Sequence, residues 1–384
     1  MTRQYDVLVS GAGVVGLTAA LALARRGEQV AILDSQAMDI APQTEADRRV
    51  YAINQASKKL LQTLNVWPLM DAARLAPYRH MHVWDAASKA CIDFDCRDIA
   101  STDLGMIVEE RVIKQALLQA LNELDNVSCF PFQSVNHIAE NETGLRVSSG
   151  QESWQTEFLI IAEGGQSPSR QLLDVELTTW PYHQHALVAT IRTEKPHQQT
   201  AYQIFNPDGP LAFLPLADEH LCSIVWSTTP KRAALLSQMD EAAFNQDLAE
   251  AFQHKLGEVT LSSERHQFPL VMRHAQQYTG KNWLLMGDAA HTVHPLAGLG
   301  LNIGLADVAC WLSCLNNNPR RSRALSAYQR QRKQAVWQSI ALMGGLKTLF
   351  ASPLSPIISL RGLGLSLCNR LTPLKRMFIE HAEG

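Results

Sequence analysis

The segment YDVLVSGAGVVGLTAALALARRGEQVAILDS, residues 5–35, constrains the fold more than any other part of the chain. Tyr5 to Ser10 is an apolar run of the length expected for a buried parallel strand. Gly11, Gly13 and Gly16 follow as G-x-G-x-x-G and open a helical stretch, and QVAILDS supplies a second strand ending in Asp34. Gly11 permits a tight turn, Gly13 lets the backbone approach a pyrophosphate, and Gly16 lets helix and strand pack closely. The helix start offers free N–H groups and partial positive charge to phosphates. Asp34 stands 18 residues beyond Gly16 and suits the two hydroxyls of an adenosine ribose; it would repel a 2′-phosphate. FAD and NAD both satisfy this fingerprint. The same run could be mistaken for a signal peptide, but its basic flank is weak and its glycines have this other explanation.

A second segment, GDAAHTVHPLAGLGLN (residues 287–302), allows three readings: a catalytic cluster, a metal site, or a cradle for a cofactor. Asp288, His291 and His294 have spacings that a helix would bring to one face. Pro295 and Gly298-Leu299-Gly300 argue against one helix through all of them, and no third metal ligand can be placed. No metal is expected, and His291 is expected to be structural, bonded to Asp288 or to backbone. The segment EFLIIAEGGQSPSR (157–170) likewise ends an apolar strand in an acid and glycines. Two such strand ends suit a long cofactor held at several points, which favours FAD. Asp288 can accept from a ribityl hydroxyl. A helix starting near Gly300 can present its N–H groups to the flavin N1–C2=O edge, where negative charge collects on reduction.

These three segments, in this order, resemble the aromatic flavoprotein monooxygenases typified by p-hydroxybenzoate hydroxylase. The match narrows with DRRVYAINQASKKLLQTLNVW, GDAAHTVHPLAG and AYQRQRK, which are similar to the bacterial ubiquinone-biosynthesis hydroxylases. HALVATIRTEKPH and LAFLPLADEHLCSIVWS look closest to the 2-polyprenylphenol 6-hydroxylase branch, which acts at ring C5. Two departures stand out: Glu163-Gly164 replaces Asp-Gly in the central motif, and Leu299 stands where many relatives carry Gln. The resemblance implies an α/β fold: a Rossmann-like FAD-binding domain, a β-sheet substrate domain and a helical C-terminus. It implies an FAD-dependent monooxygenase that hydroxylates a polyprenylphenol ring by way of a flavin C4a-hydroperoxide. O2 is then the co-substrate, and NADPH or another donor the transient reductant, since no second nucleotide fingerprint is present. The alternatives are another ring position of the same pathway, or a prenyl-lipid oxidoreductase without oxygen insertion. The expected cofactor residues are Gly11, Gly13, Val15, Gly16, Asp34, Arg49, Arg111, Gly287, Asp288, Pro295, Gly298, Gly300, Leu301 and Asn302. Arg49 matches the arginine of the family's D-x-R motif; Arg111 opens an amphipathic helix and suits a solvated face equally well. No phenol-activating residue can be placed.

Between Leu177 and Leu270 short alternating or apolar blocks read as strands of a second sheet. Phe213, Leu214 and Pro215 are candidates for an apolar wall beside the flavin ring, though each is equally ordinary core. The expected FAD-binding domain comprises 1–75, 105–176 and 277–320, and the substrate domain 76–104 and 177–276. Residues 321–384 form a basic helical region, with a final apolar stretch interrupted by Gly362, Gly364 and Pro373.

Charge is uneven. The 384 residues carry a net −3, which gives no reason to expect nucleic acid. Val308 to Ile379 contains eleven Lys and Arg and no Asp or Glu, leaving −14 for the remainder. Such a region suits an anionic membrane surface or the acidic body of its own chain or a partner. Only 18% of residues are charged, which hints at extra apolar surface. Seven cysteines without paired spacing fit reduced thiols, and no stretch reads as a transmembrane span. Together with a lipid substrate, these features place the protein in the cytoplasm, peripheral on the inner face of the plasma membrane, with other quinone-biosynthesis proteins as possible partners.

Overall fold

The computed structural model describes residues 3–38, 47, 49–293 and 300–383. The first strand, β1 (Arg3–Ser10), lies at the centre of a seven-stranded sheet. It pairs in parallel with β2 (Val30–Leu33) and with the strand Glu152–Ile161. The strand Trp283–Leu285 extends this parallel set on the far side of Glu152–Ile161. This parallel pairing brings Gly11, Glu163 and Gly287, each just past a strand end, to one edge of the sheet.

Between β1 and β2 runs α1 (Val14–Ala24), ten of whose eleven residues are buried. A helix apolar all round must be enclosed on all sides. The sheet covers one side of α1, and the helices Glu110–Asn122 and Gly300–Asn317 cover others. Leu17 and Leu21 are fully buried, each contributing about 1.5–3 kcal/mol of transfer free energy.

The second sheet has nine strands and is built mainly from 177–275 together with the hairpin His80–Asp85/Cys91–Asp95. The blocks read between Leu177 and Leu270 form strands there, among them Leu177–Thr193, Thr200–Asn206, Gly209–Pro215 and Leu221–Thr228. Two short elements cross between the regions. Ala76–Tyr78 pairs with Gly105–Glu109 in a small third sheet, and His291–Thr292 pairs with the long strand His266–Ala275.

The C-terminal region is helical throughout. The helix Arg321–Ala351 begins inside the first core, where Ala324, Leu325 and Tyr328 are buried. The helix Ser355–Arg370 runs unbroken through Gly362 and Gly364, against the interruption expected from sequence. The reason is close packing: a Cβ on Gly362 would lie 2.9 Å from that of Ser88, so glycine lets the helix sit against the hairpin. The chain breaks instead at Leu371, ahead of Pro373. All seven cysteines are free. Cys314 is buried in the core, whereas Cys310, one helical turn before it, is half-buried.

His274 is buried where the helix Arg321–Ala351 crosses the second sheet, its ring 4.8 Å from Trp337 and 5.4 Å from Tyr278. Burial, reinforced by Lys333 and His291, pushes its pKa down to about 4. The folded state therefore resists a proton that the unfolded chain accepts near pH 6.5, so stability is full above that pH and declines toward pH 4. This residue is expected to cost about 2 kcal/mol between pH 7 and pH 5. Urea denaturation at the two pH values should show a smaller loss for His274→Phe than for the wild type; equal losses would show that the ring is not held neutral.

Candidate active site

The glycine turn divides its tasks as its spacing requires. Gly11 has φ +108°, and a Cβ there would overlap the Ala162 carbonyl group. A Cβ on Gly16 would overlap the Gly11 carbonyl oxygen, so this glycine sets the helix-to-strand approach. Gly13 is different: it caps α1 in an extended conformation, and its missing Cβ would meet nothing within 4 Å. That open space lies at the uncapped N-terminus of α1. Asp34 orients the turn, accepting from Ala12 N–H at 2.6 Å and from Gln36 N–H at 2.7 Å. Val15 turns its side chain toward the second cradle, packing against Gly287 and Gly304.

Two carboxylates hold the strand ends together: the half-buried Glu163, seen in the sequence as a departure from the family's Asp, and the fully buried Asp307, which sequence reasoning did not single out. Glu163 accepts from the Ser10 hydroxyl, from Ser167 Oγ at 2.5 Å, and from both Ser169 N–H and Oγ at 2.9 and 2.6 Å. The carboxylate that departs from the family's Asp thus braces its own loop. Arg170 donates to the carbonyls of Ala289 and Gly165, both at 2.9 Å, tying the second cradle to the central motif.

The second charge is Asp307. His291 lies against it, with Nε2 2.7 Å from Asp307 Oδ2. This corrects the expectation that His291 bonds Asp288 or backbone: it points inward, away from the cavity. Asp307 also accepts from Gly287 N–H at 2.8 Å and from Arg332 Nε at 2.6 Å. His291 and Arg332 outweigh full burial and hold its carboxyl below the usual range. His294 lies outside the described residues, as do Pro295, Gly298 and Leu299.

Beyond these braces is a cavity of about 670 Å³ between the second sheet and the small third sheet. Asp288, Gly300, Leu301, Asn302, Arg49 and Arg273 line one end. Asp288 is open to the cavity but surrounded by protein, and that desolvation raises its pKa despite His291, Arg49 and Arg273 nearby. It has no hydrogen bond of its own among the described residues. The helix Gly300–Asn317 starts at this end with its first N–H groups toward the cavity. Asn302 spends its side chain on protein: its amide donates to Ala52 O at 2.7 Å and accepts from Asn54 N–H at 3.1 Å. Arg49 pairs with Glu110 at 3.4 Å. Arg111 occupies no solvated face; it is almost buried and pairs with Glu109 at 3.2 Å, off the cavity wall.

Residues 4–342 match the family described as FAD binding domain. The chain is 33% identical to the 3-demethoxyubiquinol 3-hydroxylase of Escherichia coli (strain K12), over the full length of both. It is 30% identical to the mitochondrial ubiquinone biosynthesis monooxygenase COQ6 of Homo sapiens, covering 98% of this chain and 92% of that protein. The chain belongs to the FAD-dependent ubiquinone-biosynthesis hydroxylases. Among solved structures, p-nitrophenol 4-monooxygenase PnpA from Pseudomonas putida DLL-E4 superposes with a TM-score of 0.80. It is 16% identical and the match covers 100% of this chain and 99% of that one, so it speaks for the fold.

In this ubiquinone-biosynthesis hydroxylase, FAD is the cofactor, and the open space at Gly13 fits its pyrophosphate. The opposite wall of the cavity is the second sheet. Of the three candidate wall residues only Leu214 faces in. Phe213 is fully buried on the other face, stacked on Phe252 with ring centroids 3.5 Å apart, and Pro215 shares that side by alternation. Three consecutive residues of a strand cannot all face one way. The residues that do face in include Gln203, Ala212, Ser223, Val225 and Ser227. Gln203, Ser223 and Ser227 are more than nine-tenths buried and have no side-chain hydrogen bond among the described residues.

Proposed function

We propose that this monooxygenase hydroxylates the aromatic ring of a polyprenylphenol in ubiquinone biosynthesis. The observation that carries the reading is the largely apolar cavity, with Asp288 and the start of the Gly300–Asn317 helix at one end and, on the sheet wall, three polar side chains without a partner among the described residues. An apolar pocket with few polar groups selects a greasy ligand and fixes one polar feature of it. Gln203, Ser223 and Ser227 orient the phenol oxygen, and the apolar wall excludes water from the ring.

The N–H groups at the start of α1 would hold the pyrophosphate, and Asp34 would take ribose hydroxyls on the lone pairs left by Ala12 and Gln36. Asp288 would accept from the ribityl chain, and the N–H groups at the Gly300 helix start would stabilise negative charge on the reduced flavin ring. Arg49 borders the same end. Bound FAD supplies the oxygen chemistry: one atom of O2 goes to the ring and the other leaves as water, with NADPH or another donor as reductant.

The ring position proposed is C5, from the branch resemblance of the 185–228 region. The similarity to the Escherichia coli 3-demethoxyubiquinol 3-hydroxylase favours a second reading, hydroxylation of a demethoxyquinol. Lipid extracts from cells lacking the protein decide between them, because the accumulated intermediate names the missing hydroxyl. Turnover under oxygen-18 should place one labelled atom in the product. Unlabelled product would replace this reading with a prenyl-lipid oxidoreductase.

Among the described residues no helix is long and apolar enough to cross a membrane. A peripheral position on the inner face of the plasma membrane, alongside other quinone-biosynthesis proteins, fits a lipid substrate.

A further inference from the structure

The helix Ser355–Arg370 carries apolar side chains on its outer face as well as its inner one. Its inner face carries Arg361, Gly362, Leu365 and Cys368, packed on the hairpin His80–Asp85/Cys91–Asp95. Arg361 is buried there and forms two hydrogen bonds to Asp85, at 2.9 and 3.0 Å. The opposite face carries Leu360, Leu363 and Leu367, each 58% or more exposed. Their spacing puts them on one stripe. A helix on a water-facing surface carries polar residues on that outer face.

Of fourteen exposed large apolar side chains among the described residues, nine lie between Trp337 and Phe378. The C-terminal helices also adjoin the cavity. The final helix, Thr372–Glu383, rests on the turn Cys96–Ile99 through Lys375, 3.1 Å from Asp98, and Arg376, which donates to Asp98 O. This places Phe378 and Ile379 in the cavity lining, beside Met81, Phe94 and Leu104. Ile379 is buried, whereas Phe378 is 41% exposed, so the apolar cavity reaches the surface at the same helices that expose leucine.

We infer that the outer face of the two C-terminal helices docks on a bilayer containing anionic phospholipid, and that the cavity end at Phe378 and Ile379 is the side entrance for the substrate's prenyl chain. The second half of this inference rests on the polyprenylphenol reading. A bilayer is the occupant because Val308 to Ile379 holds eleven cations and no carboxylate, the acids Glu380 and Glu383 following only at the end of the last helix, and because the entrance leads into apolar space.

The structure also changes the balance of forces. Of the eleven cations in that stretch, Arg321, Arg332, Arg361 and Lys375 pair with carboxylates of the same chain. Lys333, Lys347 and Arg376 donate to main-chain carbonyls. Part of the charge therefore serves internal docking, and attachment depends more on leucine insertion than on charge.

The test is sedimentation of the purified holoenzyme with vesicles of phosphatidylethanolamine and phosphatidylglycerol. The triple substitution Leu360→Gln, Leu363→Gln and Leu367→Gln is expected to lower partitioning about tenfold or more. Leu235→Gln, which alters an equally exposed leucine on the helix Pro230–Gln238, should leave it unchanged. All four leucines are on the surface, so flavin content and melting temperature should hold. Wild-type partitioning by the triple variant, or an equal loss in Leu235→Gln, overturns the docking face. With a polyprenylphenol embedded in the same vesicles, the triple variant should show KM raised about tenfold at unchanged kcat. A water-soluble short-chain phenol should show wild-type kinetics. Normal KM on the embedded substrate overturns the side entrance and leaves the proposed reaction standing. Failure of the wild type to hydroxylate either phenol overturns the proposed reaction and with it the entrance, while the partitioning result still decides the docking face.

Discussion

Gly13→Val is expected to give a folded protein whose affinity for FAD is lower by at least about a hundredfold. Both halves of the expectation come from geometry. Gly13 has φ −72° and ψ 173°, a conformation valine adopts without strain, and among the described residues no atom beyond its chain neighbours lies within 4 Å of its missing Cβ. The added side chain enters space left for the pyrophosphate at the start of α1, so the conflict is with the ligand alone. Flavin absorbance after purification, circular dichroism and FAD titration check it. A variant with full flavin content would move the cofactor away from this turn. Gly16→Ala is the contrast: its Cβ collides with the Gly11 carbonyl, so it should cost folding as well as flavin.

Asp307→Ala is expected to destabilise the chain by about 3–5 kcal/mol. The substitution strands Arg332 without its carboxylate and removes the acceptor for Gly287 N–H and the partner of His291. Removing one member of a buried pair leaves an uncompensated charge, whereas removing both members costs less. Denaturant midpoints should therefore place Asp307→Ala with Arg332→Met closer to wild type than the sum of the two single losses; strict additivity would deny the coupling. The sign of the pH dependence follows from the depressed carboxyl. Its contribution is full above the unfolded carboxylate pKa and is lost as pH falls through the lower, folded value.

The glycine turn and the strand-end acids were legible in the sequence because they depend on local rules. Strand, turn and helix are neighbours in the chain, and a glycine is needed wherever backbone meets backbone. The strands of the second sheet were legible for the same reason, since alternation is a property of a few consecutive residues. The second sheet also shows where local reading stops. The segment Phe213-Leu214-Pro215 is apolar throughout, and only the partner strands decide that Leu214 faces the cavity while Phe213 stacks on Phe252. Gln203, Ser223 and Ser227 were invisible for the converse reason: they are polar residues in two ordinary strands until the sheet brings both strands onto one wall. The AYQRQRK motif contains Arg332, but its partner Asp307 lies 25 residues earlier. That pairing, like Arg170 on Ala289 and Arg361 on Asp85, depends on helices crossing in space. The sequence by itself determined the cofactor turn, the family and the acid-free, basic character of the C-terminus. Only tertiary structure decided which of those basic residues are consumed internally and which leucines are left facing out, because burial is a property of what packs against a residue and not of the residue itself.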